Sequence, residues 1–171
     1  MNPSLDSALS TEAPKIRKAV EADAAGIHQV IEQYRFESDG SGQLIPVDPS
    51  EIVNLIRTGA FYVAAMKGKI VGCSSIVEYE GLAELRSWAV LAKYQRQNLG
   101  TELANVAIEE AKARGHTQVY TLTQEVNFKL VEKLGFDSTE RPPEKLARDC
   151  TQCPRYNKNC NETAFVMKLK P

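Results

Sequence analysis

The segment from Ala89 to Thr101 places the tightest limit on how this chain can fold. An apolar-rich stretch, Leu82 to Leu91, runs into the polar turn Ala92-Lys93-Tyr94-Gln95-Arg96-Gln97-Asn98. Leu99-Gly100-Thr101 then opens a long helix to Arg114. A strand that feeds straight into a helix leaves the first-turn N–H groups without acceptors in their own helix. The helix dipole adds partial positive charge at the same place, so the junction suits an anion. Gly100 offers no side chain where a phosphate would approach the backbone, Asn98 tolerates positive φ, and Arg96 adds direct charge. An ordinary strand–helix connection uses the same residue types, so the rest of the chain must decide between the two.

Periodicity sets the order of elements. Lys15 to Val20 reads as a first strand. Glu21 to Phe36 carries Ala24, Ile27, Val30, Ile31 and Tyr34 at helical spacing. Asp39 to Pro49 is a loop rich in Gly, Ser and Pro, and Asp48-Pro49 opens a second helix to Arg57. Phe61 to Met66, Ile70 to Val77 and Leu82 to Leu91 form a meander that turns at Lys67-Gly68-Lys69 and at Tyr79-Glu80-Gly81. The helix after the junction buries Leu99, Leu103, Val106, Ala107 and Ala111 and stops at Gly115. Thr117 to Thr123 is a strand, Val126 to Leu134 a short helix closed by Gly135, and Thr163 to Leu169 a last strand. Residues 142–162 between them read as an irregular, Cys-bearing insert. The pattern predicts a mixed α/β (α+β) fold: a twisted mixed sheet of six to seven strands with about four helices on its faces. It predicts one domain over residues 15–171 and a disordered tail over 1–14.

Charge narrows the function classes. With 21 basic and 22 acidic residues the formal net charge is −1. The chain's overall field is too weak to gather polyanions, so neither nucleic acid nor a membrane surface is an expected partner, and phosphate binding must be local. No apolar run has the length of a bilayer span, and the first fourteen residues lack the basic start and apolar stretch of a secretory signal. A cytoplasmic location is the expectation. There the four Cys would serve packing, metal or redox roles rather than structural disulfides.

The run Ala83 to Gly115 resembles the coenzyme-A signature of GNAT acetyltransferases: a strand ending in a small–Val pair, then Gln/Arg-x-x-Gly-x-Gly/Ala at a helix start. Here it reads Ala89-Val90, then Gln95-Arg96-Gln97-Asn98-Leu99-Gly100. Val131-Glu132-Lys133-Leu134-Gly135-Phe136 resembles the family's second marker. The resemblance implies a GNAT-like fold and acetyl-CoA held by Ala89, Val90, Gln95, Arg96, Gln97, Asn98, Leu99, Gly100 and Thr101. It further implies transfer of acetyl to an amine, with the Ala89 or Val90 N–H as oxyanion donor. Asn98 stands where the signature has Gly. Val131 stands where many members carry a Tyr that reprotonates the leaving thiolate, for which Tyr94 and Tyr120 are substitutes.

An ammonium with a pKa near ~10 must lose a proton before it attacks. Glu84, on the strand that leads to the cofactor, is the candidate base, and the family often places its carboxylate there. Glu78 and Glu80 are secondary candidates, and a solvated surface Glu is the alternative reading of Glu84. Lys145 to Pro154 (Lys-x-x-x-Asp-Cys-x-x-Cys-Pro), Cys160-Asn161-Glu162 and Gly42-Gln43-Leu44-Ile45-Pro46 resemble short single-domain bacterial N-acetylglutamate synthases. That likeness implies L-glutamate as acceptor, a place in arginine biosynthesis, and anchors for two carboxylates, for which Arg86 and Arg35 are the candidates. Cys150, Cys153 and Cys160 are candidate zinc ligands with Cys73, Asp149 or water as a fourth; a reduced packed loop is the alternative. Other readings are acetylation of a different small amine or a peptide, and a non-catalytic CoA- or metal-binding regulatory domain. A homodimer is an open expectation.

Overall fold

The computed structural model describes residues 12–37 and 39–171. The expected tail therefore falls mostly outside the described residues; Glu12 to Pro14 carry no regular structure. Among the described residues there are seven strands: β1 Lys15–Lys18, β2 Phe61–Met66, β3 Lys69–Tyr79, β4 Leu82–Val90, β5 Gln118–Gln124, β6 Asp137–Thr139 and β7 Glu162–Lys168. Five α-helices accompany them: α1 Ala24–Glu32, α2 Pro49–Arg57, α3 Leu99–Ala113, α4 Phe128–Leu134 and α5 Pro143–Arg148.

The strands form one sheet in the order β1-β2-β3-β4-β5-β7-β6. Every neighbouring pair is antiparallel except β4 and β5, which run parallel and pair at a single register position, Glu84 with Tyr120. The reason lies in β4. Ser75 pairs with Arg86 but Cys73 pairs with Ala89, so β4 carries an extra residue over that span. Ser87 sits there at φ 49. Such a bulge bends its strand, and beyond it β4 diverges from β5.

The core lies between the sheet and the helices. Ile27, Val30 and Ile31 of α1, Leu103, Ala107 and Ala111 of α3, and Val63, Val71 and Phe165 of the strands are all essentially inaccessible. Gly72 leaves room for α3 to pack against the sheet. A Cβ there would stand 2.9 Å from Leu103 Cδ1 and 3.1 Å from the Ala89 carbonyl oxygen.

The structure departs from the expected elements in three places. Helix α1 ends at Glu32 rather than Phe36 because Phe36 N–H turns to the Leu44 carbonyl (2.8 Å). Strand β6 has three residues, too few to show alternation. The region read as an irregular insert contains α5, six residues long with Pro143 at its first position. So short a helix has less than two turns over which a pattern can repeat. No helix among the described residues is long and apolar enough to cross a membrane.

Candidate active site

A cavity of about 590 Å³ opens where β4 and β5 part. One wall is β4 from Glu84 to Val90; the opposite wall is Thr121 to Thr123 of β5 with Asn127 and Leu130. The loop before α2 closes one side. Gly42 allows its turn, at φ 87, where a Cβ would collide with the Arg35 carbonyl. Gln124 Nε2 donates to the Gly42 carbonyl at 2.7 Å and Asn127 Nδ2 to Gln43 Oε1 at 3.2 Å.

At one end of the cavity lies the junction into α3. The first intrahelical bond runs from Glu102 N–H to the Asn98 carbonyl (3.1 Å), so the N–H groups of Leu99, Gly100 and Thr101 precede it and are free for a ligand. Asn98 takes φ 67, as its residue type allows, and Arg96 takes φ 63, which its type does not signal. The Arg96 side chain is exposed. A Cβ on Gly100 would meet only Trp88 Nε1, at 3.9 Å, so this glycine leaves open space. Trp88 Nε1 donates to the Gly100 carbonyl at 2.8 Å and pins the helix start to β4.

The end of β4 completes this half. Leu91 N–H donates to the Val71 carbonyl, so the alternation of an antiparallel ladder turns the polar groups of Val90 the other way, toward the gap. The Val90 carbonyl there accepts from Tyr34 Oη at 2.6 Å and from Gln95 Nε2 at 3.0 Å. Burial raises the Tyr34 hydroxyl above its ordinary range, against a smaller opposite pull from Gln95.

The other end is a charged array. Lys145 and Glu84 are each 3% exposed. Lys145 Nζ donates to Glu84 Oε1 (2.8 Å), Glu84 Oε2 (3.1 Å) and Asp149 Oδ2 (2.9 Å). Tyr79 Oη donates to Glu84 Oε2 at 2.7 Å, and Arg86 reaches Asp149 Oδ2 at 3.5 Å. Burial works to raise the Asp149 carboxyl, but Lys145, Arg86 and Arg148 outweigh it and hold it below its usual range. Glu162, at the start of β7, also lines the cavity. Burial raises its carboxyl, against the pull of Lys145 and Arg141.

Of the residues expected at the cofactor, Ala89, Val90, Gln95, Arg96, Asn98, Gly100 and Thr101 line the cavity. Gln97 is exposed and Leu99 packs in the core, so their side chains stand outside it. Glu84 and Arg86 line the acceptor end. Arg35 does not; its exposed side chain bonds Glu32 at 3.3 Å. Val131 is fully buried, and Leu130 of the same helix faces the cavity instead. Tyr94 and Tyr120 are absent from its wall, which is lined by Tyr34. Glu78 is bonded away to Arg114 and His116, and Glu80 lies outside the cavity wall.

The zinc expectation needs correction. No group of three or more His, Cys, Asp or Glu side chains is arranged to hold a metal among the described residues. The reason is Arg141. Its guanidinium donates to Cys160 Sγ at 3.1 Å and Cys150 Sγ at 3.5 Å, so a cation already stands between two of the three sulfurs. Burial raises the Cys150 thiol in spite of that neighbour. Cys73 belongs to the core and is pushed up to about 12 by burial.

Sequence reasoning missed Tyr34, Lys145 and Glu162 as wall residues. Lys145 had a signal, since it begins the Lys-x-x-x-Asp-Cys stretch and stands four residues before Asp149. Glu162 had one as well, since it ends the Cys160-Asn161-Glu162 stretch, but nothing there shows that its side chain reaches the cavity.

A splayed parallel pair with a helix N-terminus at one end of its cavity and a charged array at the other is the arrangement of a CoA-dependent acyltransferase. The sequence matches the acetyltransferase (GNAT) family over residues 27–136, and the chain belongs to that family. It is 34% identical, over 90% of its length, to an uncharacterized N-acetyltransferase of Chlorobaculum tepidum, 96% of which is covered. A Mycobacterium tuberculosis protein solved with CoA and NLQ superposes with TM-score 0.76 at 19% identity, covering 92% of this chain and all of that one. N-acetylglutamate synthase of Neisseria gonorrhoeae, complexed with CoA and N-acetyl-glutamate, gives TM-score 0.77 at 21% identity, covering 94% of this chain and 36% of that one.

Proposed function

We propose that this protein transfers acetyl from acetyl-CoA to the α-amine of a free amino acid, with L-glutamate the favoured acceptor and arginine biosynthesis the setting. The observation that carries the reading is the charge pattern of the cavity. At the cofactor end, free helix N–H groups, Arg96 and the open space at Gly100 suit a pyrophosphate. Acetyl-CoA, when bound, would supply the activated thioester. At the acceptor end, Arg86 and the Lys145 array sit beside carboxylates, a surrounding for a group that is itself both cationic and anionic. The N-acetyl-glutamate and CoA bound to the gonococcal synthase support the same choice.

In this reading the chain's residues divide the work. The Val90 N–H, turned into the gap, donates to the oxygen that becomes negative as the amine attacks. Arg86 holds the substrate carboxylate, for which a planar guanidinium is well shaped. The amine's proton goes to one of the two carboxylates on the wall, Glu84 or Glu162. Release of free thiol from acetyl-CoA, measured across a panel of amino acids, tests the proposal. L-Glutamate should be turned over roughly 10- to 100-fold better in kcat/KM than L-glutamine, the difference made by one charged contact. Preference for polyamines or peptide N-termini would refute the glutamate reading. No thiol release with any amine, despite CoA binding, would favour a regulatory domain.

A further inference from the structure

Two carboxylates reach the acceptor end, and their circumstances differ. Glu84 is spoken for: of the roughly four acceptor positions a carboxylate has, Lys145 takes two and Tyr79 a third. Glu162 stands opposite. It opens β7, where its backbone pairs with Gln124 of β5. Its carboxylate has no hydrogen bond and no ion pair among the described residues; its backbone carbonyl alone is used, by Arg141 at 2.7 Å. The charged groups around it are Lys145 of α5, Arg141 ahead of α5, Arg155 of the segment before β7, and Glu84 of β4. Lys145 is committed to Glu84 and Asp149, and Arg141 to Cys150, Cys160 and the Glu162 carbonyl. Arg155 spends one nitrogen on the carbonyls of Gly40 and Asn159 and on Asn161 Oδ1, and though its other two nitrogens are unpaired it makes no bond to the Glu162 carboxylate.

A half-buried carboxylate without a partner is costly, and a ligand cation placed against it recovers that cost. The acceptor arrives as an ammonium. We infer that Glu162, rather than Glu84, docks the ammonium of the acceptor and takes its proton, while Glu84 is a positioning residue that holds Lys145 and, through Asp149, Arg86. This assignment rests on the acetyltransferase reading above and deepens it. The balance is simple. One N–H proton of the ammonium passes to a Glu162 carboxylate oxygen. The freed nitrogen lone pair forms the N–C bond to the acetyl carbonyl carbon, and the C–S bond breaks with its electron pair on sulfur. The second proton shed by nitrogen goes to that sulfur, giving amide and thiol. Glu162 then returns its proton to solvent.

The test compares Glu162→Gln, Glu162→Asp and Glu84→Gln with the wild type, using thiol release from acetyl-CoA and whichever amino acid of the panel the wild type turns over best. Glu162→Gln should lose about 100-fold or more in kcat/KM at neutral pH, with KM for the amine raised, kcat lowered and CoA affinity unchanged. The gap should narrow as pH rises past the amine's own pKa, where the acceptor arrives as free amine and the first proton is already gone. Glu162→Asp, which keeps a carboxylate, should recover part of the loss. Glu84→Gln should lose thermal stability as well as rate, and its rate loss should not shrink at high pH. A Glu162→Gln enzyme within about threefold of wild type across pH, with Glu84→Gln showing the loss that high pH rescues, would overturn the assignment. A best acceptor other than glutamate would overturn only the choice of substrate, since the comparison is then read with that acceptor.

Discussion

The two ends of the cavity are built on different plans. The cofactor end is made mostly of backbone and of neighbours in sequence: one turn, one helix start, and the last residues of one strand, within Trp88 to Thr101, with Tyr34 brought in from the segment after α1. The acceptor end is made of side chains that meet only on folding. Lys145 and Glu84 are 61 residues apart, and Glu162 and Glu84 come from strands with β5 between them. Backbone N–H groups serve any phosphate alike, whereas side chains gathered from several elements can differ one at a time. A cavity arranged this way keeps one ligand constant while its second ligand is free to change.

The variant expected to break the acceptor end most severely is Lys145→Met. It leaves buried Glu84 and half-buried Asp149 around a missing cation, and removing one partner of such an array typically costs about 3–5 kcal/mol. Denaturant unfolding should show that loss. Lys145→Met combined with Glu84→Gln should be more stable than the single variant; a single variant within 1 kcal/mol of wild type, roughly, would mean the array does not hold the acceptor end together.

Gly100→Val attacks the cofactor end alone. The space its side chain enters is open in the fold, so the melting temperature should hold. CoA should bind about 100-fold more weakly, or ~2.7 kcal/mol. Calorimetry of CoA binding decides it, and undiminished affinity would remove the helix start from the cofactor site.

Arg86→Ala separates the ends by kinetics. Turnover of L-glutamate should fall roughly 10- to 100-fold in kcat/KM with CoA affinity unchanged. Equal damage to both constants would mean the two ends are not independent.

The smallest effect lies outside both. Glu110 of α3 is pulled down to about 2 by hydrogen bonds from Tyr62 and Arg114, with Lys18 adding to them. A depressed carboxyl contributes stability that is complete above its unfolded value and lost as pH falls through its folded one, here between ordinary carboxylate pH and about 2. Allowing for solvent screening, the contribution is roughly 1–2 kcal/mol. Melting temperatures of Glu110→Gln should fall less steeply over that acid range than those of wild type.

The same contrast explains what could be read beforehand. The meander, α2 and the start of α3 are runs with intact period and clear stops, so Pro49–Arg57 and Phe61–Met66 fall where periodicity puts them. Asn98 at positive φ follows from its residue type. Arg96 at φ 63 does not, because nothing in an arginine announces that conformation. The acceptor end was legible only as candidates. Glu84 and Arg86 were visible by their place on β4, but their partner Lys145 belongs to a helix too short to show a pattern. The three cysteines suggested a metal because spacing reports chain distance and cannot show that Arg141 already bridges two of the sulfurs.

The strand order carries a consequence for the newborn chain. β7 lies between β5 and β6, although both are made before it. When synthesis has passed β6, every residue of the wall from β1 to α3 and of β5 and β6 has been made, and the strand that fills the slot between the last two has not. Glu162 enters with the strand that fills the slot. The half of the cavity that greets the common ligand therefore has its parts first, and the half that chooses the amine is finished last, by the insertion of one strand.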